Sequence, residues 1–249
     1  MSKPVTIGTN VVVPLPSRRQ PPGPAQHDWL IHFCGRPPDS KMTPSVPTWI
    51  AQQAASERLN NILGSGTLYG FPPHGAKQPG DYLLETPPPG AIQPMLCLSE
   101  SPPQHMDWLL NTRGWQPWGL FFHRQWVYNV GGGPVWYTRK EQHDALRADQ
   151  LPWAVCLDAN SHKSDWLHER EWRIPLPPEN GALPLPIGTL AGILIGDPGW
   201  KPTDPGNPLW QRIPRLWWEP RSRQLWCWDP TTRQFGWWWD PITKQYFSV

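Results

Sequence analysis

The sequence predicts an α+β protein whose sheet is mostly antiparallel or split, with few helices and a small C-terminal β-meander rich in tryptophan. The 35 prolines disfavour long helices and favour short strands joined by extended segments. The 19 tryptophans supply large apolar surfaces, each with one polar N–H. The 249 residues suffice for one main domain and a small module. We therefore assign residues 1–26 to a proline-rich extended arm, 27–200 to the main domain and 210–249 to a tryptophan-rich repeat.

Short apolar segments predict the strands of the main domain. In chain order they are Asp28–Cys34, Pro94–Glu100, Gly119–Phe122, Pro134–Arg139, Trp153–Asp158, Glu171–Pro175 and Ala191–Gly196. The glycines of 131–133 lie between the third and fourth segments, and they predict the turn that joins these two strands.

Two segments predict helices. The first begins near Pro47, since proline suits the first helical turn, and it ends at Gly64 or Gly66. The second runs through Met106 to Leu110, with Ser101 as the first residue of a capping box. With many strands and few helices, the pattern is typical of an α+β fold.

The C-terminal region repeats one turn pattern: Trp, acid, Pro, any residue, Ser or Thr, a basic residue, Gln, then an apolar residue. The three copies are Trp218–Leu225, Trp228–Phe235 and Trp239–Tyr246. Their starts fall 10 and 11 residues apart, which is typical of strand plus turn. The acid-Pro pair favours a turn because Pro fixes φ and the carboxylate accepts a backbone bond two residues on. The repeat therefore predicts an aromatic meander, which is either a scaffold packed on the main domain or a docking surface.

Polar residues at the ends of predicted strands are the candidates for chemistry, because a sheet presents such groups into a cleft. The first is His32-Phe33-Cys34-Gly35, and the second is Leu98-Ser99-Glu100-Ser101. The third is the charged segment Asp165–Arg173, which includes Glu169 and Glu171. A carboxylate beside an arginine stays ionised and can stabilise positive charge at an anomeric carbon. Each candidate also has a structural alternative: a hydrogen-bonded histidine, residues at a helix cap, or a cross-strand ion-pair network.

Composition also bounds the location and the ligands. The four cysteines are widely spaced, with no CxxC pair, so we expect reduced thiols and no metal site. No run of 18 apolar residues and no signal-peptide pattern occurs, so we expect a cytoplasmic protein that does not contact a membrane. A net charge of +2 does not favour nucleic acid as the main partner.

The motifs, taken in order, resemble the AbiGi family, named for the antitoxin partner in an abortive phage-infection system. The similar segments are His32-Phe33 with the later Leu59–Leu68, Met95–Pro102, Trp118–Trp126 with Gly133–Tyr137, and Glu169-Arg-Glu-Trp-Arg173. They span roughly residues 29–196. The resemblance implies a bacterial or phage-borne protein of phage defence that binds a protein partner, either a toxin or a host or phage protein.

The same layout is distantly similar to ADP-ribosyltransferases, in which an early His, a middle Ser and a late Glu surround NAD. That resemblance implies catalytic roles for His32, Ser99 and Glu171 (or Glu169). It further implies that the cofactor would contact the following residues: His32, Phe33, Gly35, Ser99 and Arg173. The late carboxylate would hold the ribose hydroxyl as the glycosidic bond breaks.

Three functions follow from these patterns. The leading hypothesis is a binding protein whose tryptophan-rich repeat and 70–93 loop form the interface, because interface cores favour Trp and Arg. The partner-binding candidates are the aromatic residues of the repeat, Trp218, Trp228, Trp239 and Tyr246. The alternatives are NAD-dependent transfer of ADP-ribose to protein or nucleic acid, and an aromatic binding module on an inert scaffold.

Overall fold

The structure is a computed structural model that describes residues 28–35, 48–71, 93–147, 149–157, 169–177, 181–185, 187–203 and 208–249. The predicted arm at 1–26 and nearly all of the 70–93 loop lie outside the described residues, as do Pro47 and Asp158.

Fourteen strands and five α-helices occur in the described residues. The strands are β1 (Trp29–Gly35), β2 (Thr67–Tyr69), β3 (Met95–Ser99), β4 (Gln116–His123), β5 (Gly133–Pro134), β6 (Trp136–Thr138), β7 (Ala154–Cys156), β8 (Glu171–Pro175), β9 (Ala182–Pro184), β10 (Leu190–Ile195), β11 (Arg215–Glu219), β12 (Gln224–Asp229), β13 (Gln234–Asp240) and β14 (Gln245–Ser248). The helices are α1 (Thr48–Ala51), α2 (Ala55–Ser65), α3 (Pro103–Asn111), α4 (Arg124–Asn129) and α5 (Lys140–Asp144). The predicted α+β class, with a mostly antiparallel sheet and a C-terminal tryptophan-rich meander, is confirmed.

Ten strands form one sheet in the order β14-β13-β12-β11-β10-β4-β1-β3-β8-β5. All pairs in it are antiparallel except β10–β11, which is parallel. Two small sheets, β2–β9 and β6–β7, complete the described strands. The C-terminal meander thus continues the main sheet through the β10–β11 pair instead of forming a separate sheet.

The sheet has an apolar core on each side. On the side that we call the α2 face, Leu30, Leu120 and Phe122 pack with Leu59 and Leu63 of α2. On the opposite side, the α3 face, the buried residues of the strands pack with Met106, Leu109 and Leu110 of α3; they include Ile31, Phe33, Phe121, Trp218, Leu225 and Trp239. Because strand neighbours point to opposite faces, every position in the sheet can be assigned to one of these two cores.

The first helix prediction is only partly right. Two helices replace the single predicted one, because Ala54 is extended (φ −63°, ψ 153°) between α1 and α2. The Ala54 N–H donates to Oε2 of Glu57 at 2.9 Å, which closes the first turn of α2. Gly66 then ends the helix in the left-handed region (φ 63°), as predicted, because glycine adopts this conformation without strain.

Two local predictions are wrong. Ser101 does not cap α3: the N-cap is Pro102, and the hydroxyl of Ser101 lies 3.1 Å from Nδ1 of His105. The glycines of 131–133 do not join a hairpin either, because α4 intervenes and β4 pairs with β1 and β10 while β5 pairs with β8. Among the described residues, no helix is long and apolar enough to cross a lipid bilayer.

Candidate functional site

The strands that carry the predicted catalytic residues are neighbours in the sheet, but their side chains divide between its two faces. Ile31 is the Cα partner of Ser99, and Ser99 is the Cα partner of Glu171. Cα partners share a face, so Ser99 and Glu171 lie together on the α3 face. His32 follows Ile31 and pairs with Leu120, which belongs to the core of the α2 face. The sheet therefore separates His32 from Ser99 and Glu171.

Ser99 is the start of a buried hydrogen-bonded chain. Its hydroxyl donates to the backbone oxygen of Glu169 at 2.5 Å and lies 2.6 Å from the hydroxyl of Ser101. Ser101 in turn contacts Nδ1 of His105. Ser99 is 2 % exposed and Ser101 is 3 % exposed, so this chain ties the end of β3 to α3 and to the start of β8. Its geometry satisfies buried hydroxyls, as a structural network does.

Glu171 forms a two-pronged ion pair with Arg173, two residues along β8. Nε and Nη2 of Arg173 donate to the two carboxylate oxygens, each at 3.0 Å. The Arg173 side chain is completely buried, and its Nη1 also donates to the backbone oxygen of Pro152 at 2.6 Å. Burial alone lowers the pKa of Arg173, but the charge of Glu171 and its hydrogen bonds raise that pKa above its ordinary value. Arg173 therefore stays charged and joins β8 to the segment before β7.

Tyr137 of β6 lies against the same ion pair. Burial first, and then the negative charge of Glu171, raise the pKa of the Tyr137 phenol. The phenol therefore keeps its proton across the physiological range. The group formed by Tyr137, Glu171 and Arg173 is thus a closed charged cluster between the main sheet and the β6–β7 sheet.

Glu100, which belongs to the second candidate segment but has no role in the predicted site, is the centre of a second charged cluster. Its carboxylate lies 3.7 Å from the guanidinium groups of Arg124 and of Arg170, and it accepts a bond from Nε1 of Trp172 at 3.3 Å. Arg170 has a positive φ of 47°, and its backbone oxygen accepts the N–H of Glu100 at 3.1 Å. A left-handed conformation costs a non-glycine residue about 1–2 kcal/mol, and these contacts to Glu100 hold Arg170 in it.

The residues predicted to contact NAD do not form a cradle for it. Phe33 is 8 % exposed and packs edge-on against Trp115, with ring centroids 4.8 Å apart. A Cβ at Gly35 would lie 2.6 Å from Cβ of Ala55, so this glycine permits the close approach of β1 and α2. Nδ1 of His32 lies 3.0 Å from the backbone oxygen of Cys97. Together with the buried Ser99 and the paired Glu171, these residues do not fit a dinucleotide.

The turns of the C-terminal repeat follow its sequence pattern closely. In each hairpin the acidic residue accepts the backbone N–H two residues on, as Asp229 does from Thr231 at 2.8 Å. The basic residue of each turn has a positive φ near 57°; these residues are Arg223, Arg233 and Lys244. The pattern therefore specifies three hairpins with four-residue turns, and the predicted meander is confirmed.

The tryptophans of the repeat have two different environments. Trp218 and Trp239 are 1 % and 2 % exposed, because they lie on the α3 face, in its core. Tyr246 pairs with Trp239 on that face but lies at the edge of the sheet, where it is 48 % exposed. Trp228 pairs with Arg215 and is half-buried on the other face. Trp218 and Trp239, predicted to bind a partner, are therefore core residues in this structure.

An open row of rings crosses strands β12–β14 on the α2 face. This aromatic ladder consists of Trp226, Trp228, Phe235, Trp238 and Phe247. Trp226 stacks on Trp238 (centroids 5.4 Å apart, 19° between planes), and Trp238 stacks on Phe247 (4.9 Å, 23°). Phe235 meets Trp226 and Trp228 edge-on. The ladder begins beside Trp217, which packs against the core of the α2 face.

Sequence reasoning found only Trp228 among these residues. The signal for the others is the alternation in β12, where Leu225 and Cys227 point inward and Trp226 and Trp228 point outward. The ladder residues are all half-buried except Phe247, which is 37 % exposed.

Other candidate features lie elsewhere. An open groove of about 400 Å³ runs beside α2, and no predicted site residue lines it. Its lining is mostly amide and hydroxyl: Gln53, Ser56, Glu57, Asn60, Asn61, Trp200 and Thr203. Within the described part of the chain, no three side chains of His, Cys, Asp or Glu are grouped to hold a metal ion. No family model, curated protein or solved structure matches this chain.

Proposed function

We propose that the protein acts by binding another protein, and that the aromatic ladder is its docking surface. The observation that carries the proposal is the ladder itself: a contiguous row of rings on one sheet face, four of them half-buried and Phe247 37 % exposed. Aromatic side chains are enriched in interface cores, where they supply much of the binding free energy.

The rigidity of the ladder supports tight association. Its rings are held by backbone pairing on both sides of β12 and β13, and they are stacked on one another. Ordering flexible side chains on binding costs about 0.5–1.5 kcal/mol for each one, and rings that are already ordered avoid most of this cost.

The stacking also favours protein over nucleic acid or sugar. A base or a sugar ring binds to the open face of an aromatic ring. In the ladder, the Trp226 and Trp238 rings are stacked, so each covers one face of the other. The net charge of +2 supplies little attraction for a polyanion. A protein surface, with mixed apolar groups and backbone carbonyls, is the better complement.

The ordered motifs that resemble the AbiGi family support a role in phage defence, in which the partner is a toxin or a host or phage protein. We place this role in the cytoplasm, because all four cysteines are free thiols and such thiols persist in reducing compartments.

Transfer of ADP-ribose from NAD is the weaker candidate. It needs His32, Ser99 and Glu171 to face one cleft. The strand register separates His32 from the other two, and Glu171 is occupied by Arg173.

The test compares variants of the affinity-tagged full chain in cells that express it. Trp228→Lys places a charge within the ladder, whereas Ile242→Lys places the same charge on an exposed turn, where Ile242 is 88 % exposed. We expect the wild type and Ile242→Lys to retain one protein in stoichiometric amount, and Trp228→Lys to lose it. Equal retention by Trp228→Lys and the wild type, with both variants folded by circular dichroism, contradicts the proposal.

A further inference from the structure

Arg215 of β11 differs from the other arginines of the described residues whose side chains are partly or fully buried. Each of the others faces a carboxylate or donates to backbone oxygens; they are Arg58, Arg124, Arg170 and Arg173. The side chain of Arg215 is half-buried, and it has neither an ion pair nor a hydrogen bond within the described residues. Its guanidinium lies over the ring of Trp210, 5.2 Å from the ring centroid.

The surroundings of Arg215 lower the free energy of its charged form very little. Burial lowers the pKa of Arg215, and no charged group of the described residues opposes this effect. On the same face of β11 the carboxylate is that of Glu219, about 13 Å further along the strand, and it accepts the N–H of Arg221 at 2.9 Å. The described fold therefore supplies no counter-charge for this guanidinium.

Arg215 lies beside the aromatic ladder. It is the Cα partner of Trp228, so the two side chains share the α2 face, with Cβ atoms about 4.5–5.5 Å apart. The ring of Phe235 meets that of Trp228 edge-on, with centroids 5.2 Å apart. A molecule that covers Trp228 and Phe235 therefore also removes water from around Arg215.

We propose that the molecule docked on the aromatic ladder is an acidic segment of a protein, in which an Asp or Glu carboxylate pairs with Arg215 and neighbouring apolar side chains cover Trp228 and Phe235. This partner class rests on the proposed docking function. Removing water from an unpaired charge is unfavourable, so a partner without a carboxylate at this position binds poorly.

The chemistry of a single arginine favours a carboxylate over a phosphate. The planar guanidinium offers two parallel N–H donors, which match the two oxygens of a carboxylate. One arginine balances the single negative charge of a carboxylate, whereas a phosphate group carries about 1.5–2 negative charges at neutral pH.

The test uses a phage-displayed library of random peptides, selected on the immobilised full chain. Peptides that the wild type retains and Trp228→Lys loses are ladder binders. They are expected to be enriched in Asp and Glu next to apolar residues. Selection on Arg215→Gln is expected to lose the acidic enrichment, and selection on Arg215→Glu is expected to replace it with Lys and Arg. Circular dichroism confirms that each variant is folded.

Fluorescence anisotropy of one labelled ladder-binding peptide gives the magnitude. Its dissociation constant is expected to rise about tenfold or more on Arg215→Gln, because the pair with a desolvated charge is lost. Arg113→Gln is the matched control: Arg113 also lies over a tryptophan ring, that of Trp108 at 5.8 Å, but it is exposed at the end of α3. That variant is expected to bind the peptide as the wild type does.

Two results overturn this inference and leave the docking surface standing. One is a set of ladder binders without acidic enrichment, and the other is an acidic ladder binder that Arg215→Gln binds with wild-type affinity. If no selected peptide depends on Trp228, the docking function itself is contradicted, and the acidic partner class is contradicted with it.

Discussion

Replacing Arg173 with methionine tests whether the charged cluster on the α3 face is a structural element. Arg173 is completely buried, and its guanidinium neutralises Glu171 while it donates to the backbone oxygens of Pro152 and Ala154. Methionine matches arginine only as far as Nε and has none of these donors. The substitution leaves the Glu171 carboxylate, whose side chain is only 10 % exposed, without its counter-charge. Removing one partner of a buried ion pair costs about 3–5 kcal/mol, because the remaining charge is then uncompensated.

That loss is a large part of a typical free energy of unfolding, which is about 5–15 kcal/mol. In urea, with a slope of about 1–3 kcal/mol per molar, the midpoint of unfolding is expected to fall by at least about 1 M. Arg147→Met is the matched control, because the Arg147–Asp149 pair is exposed (72 % and 68 %), and its midpoint is expected to stay at the wild-type value.

The double variant Glu171→Leu with Arg173→Met distinguishes the buried charge from lost packing. Removing both charges is expected to recover part of the midpoint, since the uncompensated carboxylate is gone. The reasoning is refuted if Arg173→Met unfolds at the same urea concentration as Arg147→Met. It is also refuted if the double variant is less stable than Arg173→Met alone.

Two predictions concern the repeated turns. Arg233→Gly is expected to stabilise the protein by about 1 kcal/mol, because Arg233 has a φ of 57° that glycine adopts without strain; thermal unfolding measures this gain. Arg223→Gly is the control and should gain less, because Arg223 also pairs with Asp107; a larger gain there contradicts the argument. For Asp240, the hydrogen bonds from Thr243 hold the carboxyl pKa below its usual 3.8, so its stabilisation is present above that pH and is lost as the pH falls through the lowered pKa. Asp240→Asn is expected to flatten the acid limb of a plot of stability against pH, and an unchanged limb excludes this carboxylate as its cause.

Local signals predicted much of the fold. Alternation and apolar runs located β1, β3, β4, β8 and β10, and Gly66 marked the end of α2. The order of these strands in the sheet could not be predicted in the same way, because pairing depends on contacts far apart along the chain. The parallel β10–β11 pair is the clearest case: it joins the meander to the main sheet, and no local pattern distinguishes a parallel strand from an antiparallel one of this length.

The sequence located the strand ends that carry the candidate residues, but not the face of the sheet on which each side chain lies. His32, Ser99 and Glu171 do lie on three neighbouring strands, as a common cleft requires. However, a shift of one residue in strand register moves a side chain to the opposite face of the sheet, and no motif in the sequence specifies that register. The density of charge between Glu169 and Arg173 was a real signal, but it marked ion pairs that join elements of the fold, which was the structural alternative.

The spacing of the repeats bears on which face of the sheet each repeat tryptophan occupies. In each hairpin the residue before the acid pairs with the residue seven positions later, as Trp218 does with Leu225. Trp228 lies ten positions after Trp218 and three after Leu225, on the same strand as Leu225. Its side chain therefore lies on the opposite face of the sheet, the α2 face. Eleven positions should then return Trp239 to the face of Trp228, but the register shift between Cys227 and Trp228 in the β12–β13 pairing reverses it once more. The face of Trp228 follows from counting residues, whereas the face of Trp239 also depends on the position of the bulge. In the sequence this bulge is marked only by Gly236, which is exposed in the structure.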